Sequence, residues 1–241
     1  MKLCVIGYPV KHSRSPAIHT ALLRQAALEG TYETVEVTPP ELPDFLSRAK
    51  AGAYDGFNVT MPLKQCIVPL LDAVGDDVSD GAVNTVVVRQ GRTIGHNTDG
   101  AGFLRALPFS PAGERCLLLG AGGAARAVCA ALVAAGAQVT VCSRREIVLP
   151  GASTMAWADM DAAGYDLLIN ATPLGMTGQG EFPALEFLAS LPPHAVVFDL
   201  VYEPQDTALL RRARQRGLTA IGGLALLQAQ AELAFQYFTG P

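Results

Sequence analysis

The sequence predicts an α/β fold in two domains, the second of them a Rossmann-type nucleotide-binding domain. Two observations carry this. Near the middle, the apolar run Cys116–Leu119 reads as a buried parallel strand. It is followed by Gly120-x-Gly122-x-x-Ala125 and by a helical segment over 124–135 that ends at Gly136. Before residue 98, strands and helices alternate without such a glycine turn, which marks an α/β unit distinct from the nucleotide domain. With 241 residues, 50% of them hydrophobic and 17% charged, the chain has ample material for a core and no disorder signature.

The glycine spacing fits the strand–turn–helix fingerprint of a dinucleotide site. Gly120 permits the tight turn, Gly122 lets the backbone approach a pyrophosphate, and Ala125 lets the helix pack close on the strand. The helix N-terminus presents free N–H groups to the anion. The second strand, over 137–142, supplies the context that a bare glycine pattern lacks.

A net charge of −4 argues against a nucleic-acid surface. The densest basic run, Arg211-Arg212-x-Arg214-x-Arg216, falls on a helical pattern and reads as a solvated face. Cys4, Cys66, Cys116, Cys129 and Cys142 are scattered, mostly in apolar patterns, and read as small buried thiols rather than a disulfide framework or zinc site. No apolar stretch is long enough for a membrane span, and Met1 leads straight into a strand pattern, so the expected location is the cytoplasm.

Taken in order, Leu3–Gly7 is a strand that runs into a loop ending at Ser15-Pro16, a natural N-cap and first helical residue for a helix to about Leu28. Ser13 and Ser15 suit local capping and turn roles, and equally a grip on a polyol or carboxylate. Tyr32–Val37 alternates as a strand and Glu41–Ala51 is a helix. Gly56-Phe-Asn58-Val-Thr60-Met-Pro62-Leu-Lys64 is a strand ending in a polar, proline-bent turn. Read locally, Thr60 is a turn hydroxyl and Lys64 an ordinary lysine. Ala82–Arg89 is a further strand, and Asp99 is placed to cap a helix over 101–107.

Beyond the glycine turn, the strand over 137–142 ends in Ser143-Arg144-Arg145, where an NAD site usually has an acid on the ribose 2′-hydroxyl. A serine and two arginines there suit a 2′-phosphate, or are exposed strand-end charges. Asp166–Asn170 and Ala195–Asp199 are buried strands. Asp206–Arg216 is a helix and Thr219–Ile221 a short strand. The last helix, Leu224–Phe238, carries Gln230 within its apolar sector.

Together these segments resemble one family closely, shikimate dehydrogenase, which reduces 3-dehydroshikimate with NADPH in aromatic amino acid biosynthesis. The matching motifs run in order over nearly the whole chain. They are Gly7-x-Pro9-Val10-x-His12-Ser13-x-Ser15-Pro16-x-Ile18-His19, Asn58-Val-Thr60-x-Pro62-x-Lys64, Ala82-Val-Asn84-Thr85 and Asn97-Thr98-Asp99-Gly100. Gly120–Ala124, Asn170-Ala-Thr172 and Asp199-x-Val201-Tyr202-x-Pro204 follow. The resemblance implies a substrate domain over 1–98, completed by 224–241, a Rossmann domain over 99–223, and a cleft that can close. It implies Lys64 as general acid/base with Asp99 orienting it. Ser13, Ser15, Thr60, Lys64, Asn84, Asp99, Tyr202 and Gln230 would hold the substrate. Gly120, Ala121, Gly122, Gly123, Ala124, Ser143, Arg144, Asn170, Thr172, Leu200 and Gly223 would line the NADP site. No metal belongs to it, and the expected form is a monomer or homodimer with small-molecule partners only.

Three departures from the family pattern stand out. Thr20 replaces an Asn, and Ala225-Leu226 replaces a Gly-Met pair. Ser143-Arg144-Arg145 replaces Asn-Arg-Thr, and the stretch that follows is short, with Val148-Leu-Pro150-Gly151 breaking any helix beside the adenosine pocket. Glu146 lies near enough to approach the ribose, with Arg145 placed to pair with it. Two rival readings share the fold: a quinate/shikimate dehydrogenase using NAD, and a shikimate-sensing paralogue without chemistry. Intact Lys64 and Asp99 argue against the second.

Overall fold

A computed structural model describes residues 1–78, 81–145 and 147–240. The chain divides into two compact units, Met1–Asp99 with the segment from Gln228 onward, and Gly100–Leu227. The first unit contains β1 (Lys2–Gly7), α1 (Ser15–Gln25), β2 (Thr31–Glu36), α2 (Leu42–Arg48), β3 (Gly56–Val59), α3 (Leu63–Cys66), β4 (Ala73–Val74), β5 (Thr85–Arg89) and β6 (Arg92–His96). They form one sheet in the order β2-β1-β3-β5-β6-β4. β1 pairs parallel with β2 and β3, and β5 pairs antiparallel with β3 and β6. β1 is buried along all but its first residue, which is why it reads as a continuous apolar run rather than an alternation.

Several local expectations are corrected. Ser15 is the first residue of α1, not its cap; the Ser13 hydroxyl accepts the Ser15 N–H at 3.2 Å instead. The helix stops at Gln25 rather than Leu28, ahead of Ala27 with φ 52°. The hairpin partner β6 is absent from the sequence reading. Its two-residue link, Gln90 (φ 51°) and Gly91 (φ 73°), is a tight turn built on Gln-Gly instead of the more recognisable Asn-Gly.

The second unit follows with α4 (Asp99–Ala106, whose first residue belongs to the first unit), β7 (Arg115–Leu119), α5 (Gly123–Ala134), β8 (Gln138–Ser143), β9 (Ser153–Ala156), β10 (Leu167–Asn170), β11 (Val196–Asp199), α6 (Ala208–Gln215) and β12 (Thr219–Gly222). α7 (Gly223–Thr239) starts here, and its residues from Gln228 belong to the first unit. The sheet order is β12-β11-β10-β7-β8-β9 and every pairing is parallel. That is the doubly wound Rossmann order, with its switch point between β7 and β10. Apolar clusters cover both faces, one around Phe103, Val128 and Phe198, the other around Leu117, Leu168 and Leu209. Between β8 and β9 the described residues form no helix. Leu149 is buried in the cluster with Val128 and Val139.

Four of the five cysteines are buried, and burial pushes the thiols of Cys4, Cys116, Cys129 and Cys142 up, so they are inert packing groups. The arginines of α6 and Arg216 are exposed, and Arg214 pairs with Asp206 at 2.5 Å. No helix among the described residues is long and apolar enough to cross a membrane.

In the first unit, Ala234 and Phe238 of α7 pack against Leu3, Val5 and Val87. His19 lies beside them, fully buried, its ring stacked on Tyr32 at 4.3 Å, with neither ring nitrogen hydrogen-bonded among the described residues. Burial lowers its pKa to about 4 from 6.5. The neutral ring is thus held in the folded state while the unfolded chain binds a proton below pH 6.5. The contribution is full above that value and is lost as pH falls through 4. One such group costs about 2 kcal/mol of stability between pH 7 and pH 5. His19→Phe keeps the ring stack, and its urea midpoint should fall less than the wild type's over that interval. Parallel losses in the two proteins would exclude His19 as the acid-sensitive group.

Candidate active site

The first unit gathers a polar cluster at the ends of its strands. Lys64 is presented by α3, directly after the turn that follows β3, and Asp99 starts α4. Their side chains meet with Nζ 2.5 Å from Oδ2. The other carboxylate oxygen accepts from Asn84 Nδ2 at 2.8 Å, so Asp99 is held at both oxygens. Both side chains are largely shielded, 20% and 13% exposed, which strengthens the pairing relative to a surface ion pair. Asp99 is therefore not spent as a helix cap. Its own N–H donates to Asn97 Oδ1 at 2.9 Å, which satisfies one of the free N–H groups at the start of α4.

Asn84 is the hub of this cluster. Its side-chain Oδ1 accepts from the Thr98 N–H at 2.9 Å and from the Thr85 hydroxyl at 2.9 Å. Its amide also reaches Gln230 Oε1 on α7 at 3.4 Å, and Thr98 donates to the same oxygen at 3.3 Å. Asn58 forms a second layer. It accepts from Tyr32 Oη at 2.7 Å and donates to the backbone carbonyl of Asn84 at 3.1 Å. Sequence reasoning alone does not single out Thr98, Asn58 or Tyr32 as site residues. Thr98 and Asn58 stand inside two of the quoted motifs, which is the available signal. Of the remaining first-unit candidates, Ser15 is buried, and Ser13 and Thr60 are half-exposed.

In the second unit the glycine turn has the expected form. Gly120 has φ +104°, a left-handed conformation that a side chain would strain, and a Cβ there would lie 3.0 Å from the Ala171 carbonyl oxygen. At Gly122 and Gly123 a Cβ would meet no atom, so the face of the turn at the α5 N-terminus is open. Ala125 is fully buried under the helix. Twelve-residue α5 leaves its first N–H groups without intrahelical acceptors. This open cradle of backbone donors fits the pyrophosphate of a dinucleotide.

Asn170 and Thr172 brace the neighbouring loop. The Asn170 amide donates to Asp199 Oδ1 at 2.9 Å and to the Leu174 carbonyl at 3.1 Å, and its oxygen accepts the Thr172 N–H at 3.0 Å and hydroxyl at 2.6 Å. Asp199 is fully buried, and burial raises its pKa despite hydrogen bonds from Thr207, Val201 and Asn170. Gly223 passes so close to β11 that a Cβ would fall 2.2 Å from the Leu200 carbonyl oxygen, and no side chain fits. Tyr202 is half-buried in the second unit. At the end of β8, the Ser143 hydroxyl donates to the Arg145 carbonyl, and Arg144 and Arg145 are exposed with no ion pair among the described residues. Glu146 lies outside the described residues.

Residues 5–86 match the family model for the shikimate dehydrogenase substrate binding domain. Over its full length the chain is 39% identical to a shikimate dehydrogenase (NADP(+)) of Exiguobacterium sp., covering 93% of that protein. The chain belongs to the shikimate dehydrogenase family. Among solved structures, the Thermus thermophilus shikimate 5-dehydrogenase, in complex with NADP(H) and shikimate, matches with a TM-score of 0.89 at 37% identity. That match covers 100% of this chain and 94% of the other. A ligand-free 5-ketofructose reductase of Gluconobacter sp. strain CHM43 matches with a TM-score of 0.90 at 33% identity, over 100% of this chain and 93% of its own. Within this likeness, proteins named for different substrates share one architecture, so the substrate is a property of particular side chains.

Proposed function

We propose that this protein catalyses the reversible, NADPH-dependent reduction of 3-dehydroshikimate to shikimate, in the cytoplasm, as a monomer or homodimer. The observation that carries the reading is the Lys64–Asp99 pair at 2.5 Å, braced by Asn84, in a chain of this family. The first unit serves as the substrate domain, with the end of α7 completing it, and the second as the cofactor domain. The open turn at Gly122 and Gly123 and the N-terminus of α5 would hold the pyrophosphate. Arg144, at the end of β8, would meet the 2′-phosphate. When bound, NADPH would supply a hydride equivalent for the carbonyl carbon.

Negative charge then develops on the carbonyl oxygen, which needs a donor that can release a proton as the alkoxide forms. Lys64 fills that role, since an ammonium both stabilises the charge and gives up the proton. In the reverse direction its amine accepts one. Asp99 orients the ammonium, and Asn84 fixes the carboxylate plane so that Lys64 Nζ keeps one direction. Gln230 and Thr98 hold Asn84 from behind. Ser13 and Ser15 grip the ring carboxylate, and Thr60 contributes a further hydroxyl at the end of β3.

The test is turnover of 3-dehydroshikimate and, separately, 5-ketofructose, each with NADPH and NADH. Turnover of 3-dehydroshikimate with NADPH well above the other three combinations is expected. Dominant turnover of 5-ketofructose would move the protein to a different substrate class. Ser15→Ala should raise KM for shikimate by roughly 1–2 kcal/mol of lost binding, as for one charge-assisted hydrogen bond, with little change in kcat and none in the KM for NADPH. A rise in KM for NADPH alone would put the substrate carboxylate elsewhere.

A further inference from the structure

At the ends of β8 and β9 the second unit contains a cavity of about 560 Å³. Its walls include Ser143, Arg144, Arg145, Ile147, Met155 and Trp157. Trp157 follows β9 directly, and Ser143 pairs in register with Ala156, so the indole stands one strand beyond the arginine-bearing end of β8. With strands spaced about 4.8 Å apart, that is about 10 Å across the sheet from the glycine turn after β7. Phe182 backs the indole, its ring 6.4 Å away and inclined by only 18°. The crossover between β8 and β9 forms no helix among the described residues, and Trp157 is left half-buried against the cavity.

We propose that Trp157 is the stacking platform for the purine base of the cofactor, and that this pocket holds the base by its face while leaving its edge unread. The inference rests on the cofactor reading above. The indole supplies a large flat surface, and stacking serves every base because every base has a π-face. Strong discrimination between bases needs buried hydrogen-bonding groups that go unpaired with the wrong one. Among the described residues lining the cavity there is no carboxylate and no carboxamide. Ser143 donates its hydroxyl to the Arg145 carbonyl. Thr154 is exposed, and its hydroxyl can either donate or accept. The two arginines only donate and suit the 2′-phosphate at the ribose. Among the described side chains, a 6-amino group and a 6-oxo group therefore find equally good surroundings.

Trp157 is the sole tryptophan of the chain, so its emission reports the site directly. The whole protein is titrated with adenosine 2′,5′-bisphosphate and with its inosine counterpart, by fluorescence and by calorimetry. Trp157→Ala and Trp157→Phe are titrated alongside. Expected are a saturable change in wild-type emission, Kd values for the two ligands within about threefold, an approximately tenfold weaker Kd in Trp157→Ala, and retention in Trp157→Phe. Binding of the adenosine ligand with unmoved emission, or with unchanged affinity in Trp157→Ala, would overturn the platform while leaving the cofactor reading intact. An inosine ligand bound more than tenfold more weakly would show that the base edge is read. No binding of either ligand by the wild type would sink the cofactor reading itself. If Trp157→Ala does not fold, wild-type emission and the Phe variant decide.

Discussion

Lys64→Ala is expected to lower kcat by about 10² or more while leaving shikimate binding largely intact. Under the proposed mechanism the loss falls on kcat, because the lysine proton would be needed mainly as charge develops on the substrate oxygen. In the structure Lys64 Nζ is 2.5 Å from Asp99, and Asp99 keeps its second anchor, Asn84, when the lysine is gone. The remaining cluster of Asn84, Thr98 and Gln230 does not depend on Lys64. Substrate affinity, read by calorimetry with shikimate, should therefore change little. A thermal melt controls for the unpaired carboxylate. A folded variant with near-wild-type kcat would remove Lys64 from the mechanism.

The fold is legible in the sequence where burial writes a simple pattern. β1, β7, β10 and β11 are buried on both faces and appear as short apolar runs bounded by polar or glycine residues. β6 and β9 are not legible. β6 pairs across a Gln-Gly turn, and β9 is a mostly exposed edge strand of Ser, Thr, Met and Ala with no apolar period to read. That the described residues between β8 and β9 form no helix is legible from Val148-Leu-Pro150-Gly151, because proline and glycine interrupt one.

The site divides in the same way. The glycine turn carries its physics locally, so residues 120–125 can be read from spacing alone. Lys64 and Asp99 are 35 residues apart and meet only through the sheet, so no local signal joins them; the family motifs do. Asp99 looks like a helix cap because an acid before a helix usually is one. Its carboxylate is instead held by Lys64 and Asn84, while its N–H donates to Asn97 Oδ1. Trp157 escapes a sequence reading because a tryptophan after a short polar stretch has no pattern. Its position matters only beside β8.

NADP(H) is expected to be preferred over NAD(H) by about 10- to 100-fold in kcat/KM, roughly 1.4–2.8 kcal/mol, with Arg144 as the main discriminator. A 2′-phosphate carries up to two negative charges, and a guanidinium at the strand end can meet it with paired N–H donors. NAD would want a carboxylate accepting from the 2′-hydroxyl, and positions 142–144 hold Cys142, Ser143 and Arg144. Cys142 is buried, and the Ser143 hydroxyl is turned to the Arg145 carbonyl. The two exposed arginines are thus the charged groups at this edge of the cavity among the described residues. Their exposure limits the preference, since water screens an open cation and the described residues form no crossover helix over the pocket. Arg145 supports Arg144 by adding a second cation, so Arg144→Ala should reduce rather than abolish the preference. The measurement is kcat/KM for both cofactors in the wild type and in Arg144→Ala. Equal use of both by the wild type, or no loss of NADPH efficiency in the variant, would defeat the assignment.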